Sequence, residues 1–166
     1  MCIIIHRFHH HLHRPSPFSS PSLNQAQASA SGLFAEVPDK EFVVCALDLL
    51  SGISDGIEGN VSNLVMNSNV FVLLYTCVQD IDADVRQSAI ALVGDLAKNA
   101  PSQLAAHLDK FLEALAKNLD PRWLAVCNNA SWAIGEIALK FGQEVGQKVP
   151  AILASIVPFT HYLSLL

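Results

Sequence analysis

Several kinds of chemistry are missing from this sequence of 166 residues. No GxSxG, HExxH or phosphate-loop pattern occurs, so the usual routes to an activated serine, a catalytic zinc or a bound nucleotide are absent. The four cysteines, Cys2, Cys45, Cys77 and Cys127, form no CxxC pair. They have no clustered histidine partner either, so they fit neither a zinc site nor a disulfide-dense secreted scaffold. Reduced, partly buried thiols of a cytosolic or nuclear protein are the simpler reading. No apolar run approaches the roughly 18 to 20 residues that cross a bilayer, because Asp, Glu, Lys or Asn keeps returning. No strand-like alternation competes with helix, and within the helical part only His107 and His161 remain as histidines. Neither lies near a Cys or Ser in a nucleophile pattern, and the expectation is that the chain is not an enzyme and needs no cofactor or metal.

Acids are also missing from the beginning. Residues 1–38 hold Arg7 and Arg14 but no carboxylate before Glu36, and they pass from a histidine run into Pro- and Ser-rich sequence. This reads as a separate, non-globular segment. His6, His9, His10, His11 and His13 could hold a metal as any flexible imidazole cluster does, but an incidental run without a defined site is the plainer reading. A Ser- and Arg-rich organellar leader is a further alternative. The net charge of the whole chain is −5, so the remainder from Asp39 is more acidic than the total. Such a surface is a poor partner for nucleic acid.

What is present is a repeat. The segments "FVVCALDLLSGI" from Phe42, "VRQSAIALVGDL" from Val85 and "VCNNASWAIGEI" from Val126 align on Ala46, Ala89 and Ala130, on Leu50, Val93 and Ile134, and on the small residues Ser51, Gly94 and Gly135. The offsets are 43 and 41 residues. A period of about 40 to 47 residues is that of HEAT or armadillo helix pairs. Partner helices are expected over Val70 to Val78, Gln103 to Lys117, and Val145 to roughly Val157. Asp80 and Asp82 can cap a helix from Ala83, and Pro101 suits the first helical position after Ala100. Asp120-Pro121 opens the next second helix, and Gly142 can close the one ending at Phe141. The opening Asp84-Val85-Arg86 can tie neighbouring repeats together. The expected fold is therefore an all-α solenoid of about two and a half helix pairs over 39–157, followed by a divergent tail at 158–166. A helical repeat cannot bury its apolar stripe alone. The closing run "IVPFTHYLSLL" offers no polar cap, which suggests a fragment, a truncated product, or a chain needing a partner at its ends.

Helical angles assign faces. With Val126 at zero and about 100° per residue, Ala130, Ala133, Ile134, Ile137 and Phe141 fall in an arc near ~40°, while Trp132 lies near ~240°, flanked by Asn128 and Glu136. In the second helix Val85, Ala89, Leu92, Val93 and Leu96 turn inward, with Gln87, Ala91, Asp95 and Lys98 outward. In the first, Ala46, Leu49, Leu50 and Ile53 turn inward, with Val44, Asp48, Ser51 and Asp55 outward. One shared outer face is thus expected to carry Val44, Asp48, Asp95, Trp132 and Glu136. An acidic strip with an aromatic anchor suits an extended basic peptide. An off-stripe Trp that packs on a neighbouring helix, and carboxylates that are merely solvated, remain open alternatives. Trp123, in the first turn after Asp120-Pro121, reads as a packing plug between helices.

The strings "EFVVCALDLLSG", "DVRQSAIALVGDLAK" and above all "VCNNASWAIGEIA" resemble the C-terminal half of the karyopherin-β2 nuclear import receptors, or transportins, of the importin-β family. The likeness covers roughly Asp39 to Val157. It implies a HEAT superhelix that binds nuclear localisation signals, extended basic or hydrophobic segments ending in proline-tyrosine, on its inner face, in a protein moving between cytoplasm and nucleus. It implies cargo contacts at Trp132, Asp95, Asp48 and Val44, with Glu136 added from geometry. The Ran-binding repeats and acidic loop of that family have no counterpart here, and residues 1–38 do not resemble it. A generic HEAT scaffold, or a product without function, is the alternative.

Overall fold

The structure is a computed structural model that describes residues 39–57, 60–148, 150, 152 and 154. The expectations placed on residues 1–38 and on the tail 158–166 lie outside the described residues. These belong to one compact unit that starts at Val37, and among them helices are the sole regular element.

Each helix begins where the sequence supplies acceptors for its free amides. Asp39 caps α1 (Lys40–Gly56), its side chain accepting from the Glu41 amide. Short helices α2 (Val61–Met66) and α3 (Val70–Cys77) follow, breaking the first helix of the next pair at Asn67 to Asn69. Asp82 caps α4 (Ala83–Asn99) by accepting from the Asp84 and Val85 amides, at 2.8 and 3.3 Å. Pro101 then opens α5 (Pro101–Leu104), where its missing N–H costs nothing. A 3₁₀ turn joins α5 to α6 (Leu108–Lys117). Asp120 caps a 3₁₀ turn at Pro121–Trp123, and α7 (Leu124–Gly146) follows it. The expected stop at Phe141 and Gly142 is met only in part. Phe141 leaves helical geometry at φ −114° and ψ 16°, but the chain turns helical again to Gly146. Burial of Val145, 1 % exposed, accounts for the return.

The helices form two layers. The second helices α1, α4 and α7 pack side by side with α4 in the middle, while α3 lies on α4 and α6, and α6 on α7. Hydrogen bonds between repeats recur at sequence separations of 39 to 45 residues, as for Lys40–Asp80, Ser62–Gln103, Asn99–Ser54, Asn129–Gln87 and Lys148–Asp109. A nearly constant separation means parallel stacking of equivalent helices, which is the geometry of a HEAT solenoid. Phe71, Tyr75, His107 and Phe111 fill the first-helix layer, with Phe71 stacked on His107 at 5.0 Å and both Phe71 and Tyr75 edge-on to Phe111.

The turns between helices are tied by Arg86 and Asn118. Arg86 donates to the carbonyls of Asp80 and Ile81 and to Asn118 Oδ1. Buried Asn118 in turn donates to the carbonyls of Val78 and Ala114. The Arg86 guanidinium also lies 5.4 Å from the Trp123 ring centroid. The arginine of the Asp-Val-Arg opening therefore does link one repeat to the next. Trp123 is a half-exposed lid on that arginine rather than a buried plug.

One face departs from the helical angles. In α4 the stripe Val85, Ala89, Leu92, Val93 and Leu96 is no more than 2 % exposed, and in α7 the equivalent Val126, Ala130, Ala133 and Ile137 are buried. In α1 the same positions are open: Phe42 is 74 %, Leu49 65 %, Leu50 41 % and Ile53 38 % exposed, and Ala46 is exposed as well. The side expected to face outward is the one that packs, with Val44, Leu47, Ser51 and Ser54 buried. The cause is the neighbour. Second helices pack against each other through a flank of the stripe, and α1 has α4 on that flank, whereas the stripe itself is covered in α4 and α7 by the first helix of the same pair.

Candidate peptide-binding face

The residues expected to share an outer face lie along the two seams between α1, α4 and α7, and each helix positions its own. On α1 Val44, Asp48, Ser51 and Asp55 follow at helical spacing and turn toward α4. Asp95 and Lys98 of α4 meet them, while Trp132 and Glu136 of α7 approach α4 from the other side.

The structure corrects the exposure of several of these. Val44, 8 % exposed, is a packing residue of the α1–α4 seam. Asp95, expected to be solvated, is 3 % exposed and accepts a hydrogen bond from the Ser51 hydroxyl. Asp48 and Glu136 are half-buried. Trp132 is half-buried and packs against the core, its ring lying directly over Gly94. A β-carbon on Gly94 would overlap the ring atoms Cε3, Cζ3 and Cη2. The open alternative for Trp132, packing on a neighbouring helix, is thus realised, while part of the indole stays accessible.

The angles missed these contacts because they describe one helix at a time. A signal was nevertheless present. The aligned small residues at 51 and 94 are where side chains of the next helix arrive: Asp95 at Ser51, Trp132 at Gly94. Glycine is required at 94 for this close approach.

Charges cluster on the same seams. Lys98 pairs with Asp55 at 3.0 Å, and the Asn99 amide donates to the Ser54 carbonyl and hydroxyl and to Asp55. The hydrogen bond to Asp55 raises the Lys98 pKa, and the Asp95 and Glu136 charges act in the same direction. One ammonium is therefore paired with Asp55 and feels the charges of Asp95 and Glu136.

Burial pushes the Asp95 carboxyl up from 3.8 to about 6; Asp55 adds to the rise, and the Ser51 hydroxyl and Lys98 oppose it. Between about pH 4 and 6 the folded chain then keeps a proton that the unfolded chain has released. Asp95 accordingly contributes a stability that is fully present below about pH 4 and is lost as pH rises through 6, at most about 3 kcal/mol. The expected result is that Asp95→Asn gains stability over the parent protein from pH 4 to pH 7. Urea midpoints at the two pH values check it; a constant difference between the proteins would sink the assignment. Comparing them pairwise removes the opposite contributions of Asp55, Asp80 and Asp120, whose pKa values are lowered.

Among the described residues no three His, Cys, Asp or Glu side chains are grouped to hold a metal, and no helix is long and apolar enough to cross a membrane. No protein-family profile matches the chain. Individual proteins do match. Transportin-1 of Homo sapiens and of Mus musculus are each 45% identical over 122 residues, 74% of this chain. Transportin-1 of Oryza sativa subsp. japonica is 44% identical over 135 residues, 79% of this chain. Importin subunit beta-2 of Schizosaccharomyces pombe is 33% identical over 126 residues. The chain spans only 14% of the length of the human and mouse proteins. Parallel stacking at the HEAT period, together with this level of identity across three-quarters of the sequence, makes the chain a member of the transportin family.

Proposed function

We propose that the seam formed by α1, α4 and α7 receives a nuclear localisation signal, an extended basic segment ending in proline-tyrosine, and that the chain serves protein import into the nucleus as part of a transport receptor. What supports this reading is that Asp95 and Trp132 lie on the two seams flanking α4, with Asp48 and Glu136 half-buried on the neighbouring helices, in a chain so similar to proteins named transportin. Asp48 and Glu136 are accessible enough to attract arginine or lysine, and the open part of the indole offers a cation-π or apolar contact. Asp95 adds its charge from beneath. Cytoplasm and nucleus are the compartments this function requires.

The test is fluorescence anisotropy with a synthetic peptide bearing several arginines and a C-terminal proline-tyrosine pair. Binding is expected to weaken as salt rises, because exposed charges are screened within about 8 Å at 0.15 M. It is also expected to weaken as pH falls through 6, where Asp95 takes up its proton. An uncharged scrambled peptide that binds equally well would defeat the reading. Self-association without peptide binding would favour a plain HEAT scaffold, a role the open stripe of α1 would suit.

A further inference from the structure

The acidic seam already contains a cation. Lys98 projects from the last turn of α4 and bridges to Asp55 of α1 at 3.0 Å, its own side chain half-exposed and that of Asp55 27 % exposed. Asp55 is its partner, and the charges of Asp95 and Glu136 add to the hold on its proton. Asn99 binds the same Asp55 and the Ser54 carbonyl, so the Asp55 end of the bridge is held. The Lys98 end is a flexible stem carrying a hydrated ammonium, which can swing away without disturbing the backbone.

We infer that Lys98 is an internal competitor for the acidic face: it takes the place a basic residue of the ligand would take, and the ligand binds by displacing it. This rests on the peptide-binding reading above and adds to it a residue that sets affinity. A lysine in this position raises the threshold for capture. Segments with a single basic residue exchange one ammonium for another and gain little, whereas a cluster of arginines offers more charge and planar, bidentate contacts with carboxylates. The face thereby discriminates against weakly basic chains through an ion pair of its own.

The inference is tested by measuring the affinity of the same arginine-rich proline-tyrosine peptide for the parent chain and for Lys98→Met, Lys98→Arg and Asp55→Asn. Lys98→Met is expected to bind up to about fivefold more tightly, the range of one exposed ion pair, and with a steeper salt dependence. Lys98→Arg, which keeps the competitor, should bind like the parent. Asp55→Asn, which removes a carboxylate and frees Lys98 to settle on Asp95 and Glu136, should bind more weakly. A second measurement needs no peptide. The carboxyl carbon shift of Asp95, followed by NMR across pH, should show its pKa rising further in Lys98→Met, because a cation that opposes the rise is gone.

Equal affinity of the parent and Lys98→Met, with a common loss of melting temperature in Lys98→Met and Asp55→Asn, would make the bridge a structural ion pair and overturn the inference alone. Failure of both the parent and Lys98→Met to bind would overturn the peptide-binding reading and this inference with it. Binding by Lys98→Met but not by the parent would be the strongest form of the expected result.

Discussion

Leu92→Asp is expected to unfold the chain, and Leu49→Asp, the same exchange at the equivalent position one repeat earlier, to leave its stability almost unchanged. Leu92 is 2 % exposed on the stripe of α4, and a carboxylate there would lose its hydration with no cation to pair it. The apolar burial of a leucine is lost at the same time, and the sum exceeds about 4 kcal/mol, a large part of the stability of any small domain. Leu49 is 65 % exposed, so its replacement removes little burial and places the charge in water. An effect within about 0.5 kcal/mol is expected, together with higher solubility, because the change interrupts an open apolar row that includes Phe42, Leu50 and Ile53. Urea denaturation followed by circular dichroism compares the two directly. Equal losses in both variants would mean that the α1 stripe is covered in solution.

Trp132→Ala is expected to damage stability and binding together. The indole fills the seam over Gly94, so its removal opens a cavity between α4 and α7. Full burial would set the loss at about 3 to 5 kcal/mol; for a half-exposed ring about 2 kcal/mol is expected. Affinity for the basic peptide should fall by about 2 kcal/mol or more, roughly thirtyfold, as happens when an interface loses an aromatic anchor. Gly94→Ala separates the two effects. It leaves the indole in the protein but forces it out of its seat, at an overpacking cost of about 1 to 3 kcal/mol. A shift in tryptophan emission should accompany it. Stability that falls in both variants while affinity stays constant would confine Trp132 to packing and remove it from the ligand site.

Tryptophan 132 shows how far a linear reading reaches. Its position off the apolar stripe of α7 is plain from the 100° advance per residue, and so is the neighbourhood of Glu136. Its seat is not. The ring lands on a glycine 38 positions earlier in the chain, and that contact depends on the distance between α4 and α7, which the residues of either helix alone do not define. Asp95 is the same case with larger consequences. On its own helix it points away from the stripe, as a surface carboxylate would. Packing of α1 then covers it, supplies Ser51 as donor, and lifts its pKa to about 6.

The period and the starts of α1, α4 and α5 were readable from residue order, because each depends on local chemistry; the short helix α2, the 3₁₀ break before α6 and the run of α7 past Val145 were not. Asp39, Asp82 and Asp120 cap whatever follows them, Pro101 suits the first position of a helix, and an apolar residue every third or fourth position marks one face of a helix. Covering is a different matter. The stripes of α1 and α4 are apolar at the same positions, yet one is open and the other buried, since burial belongs to a pair of surfaces and a sequence pattern describes only one of them. The same reason decides the charges. Local order puts acids on one side of each helix, while the stacking of α1 on α4 pairs Asp55 with Lys98 and buries Asp95 against Ser51.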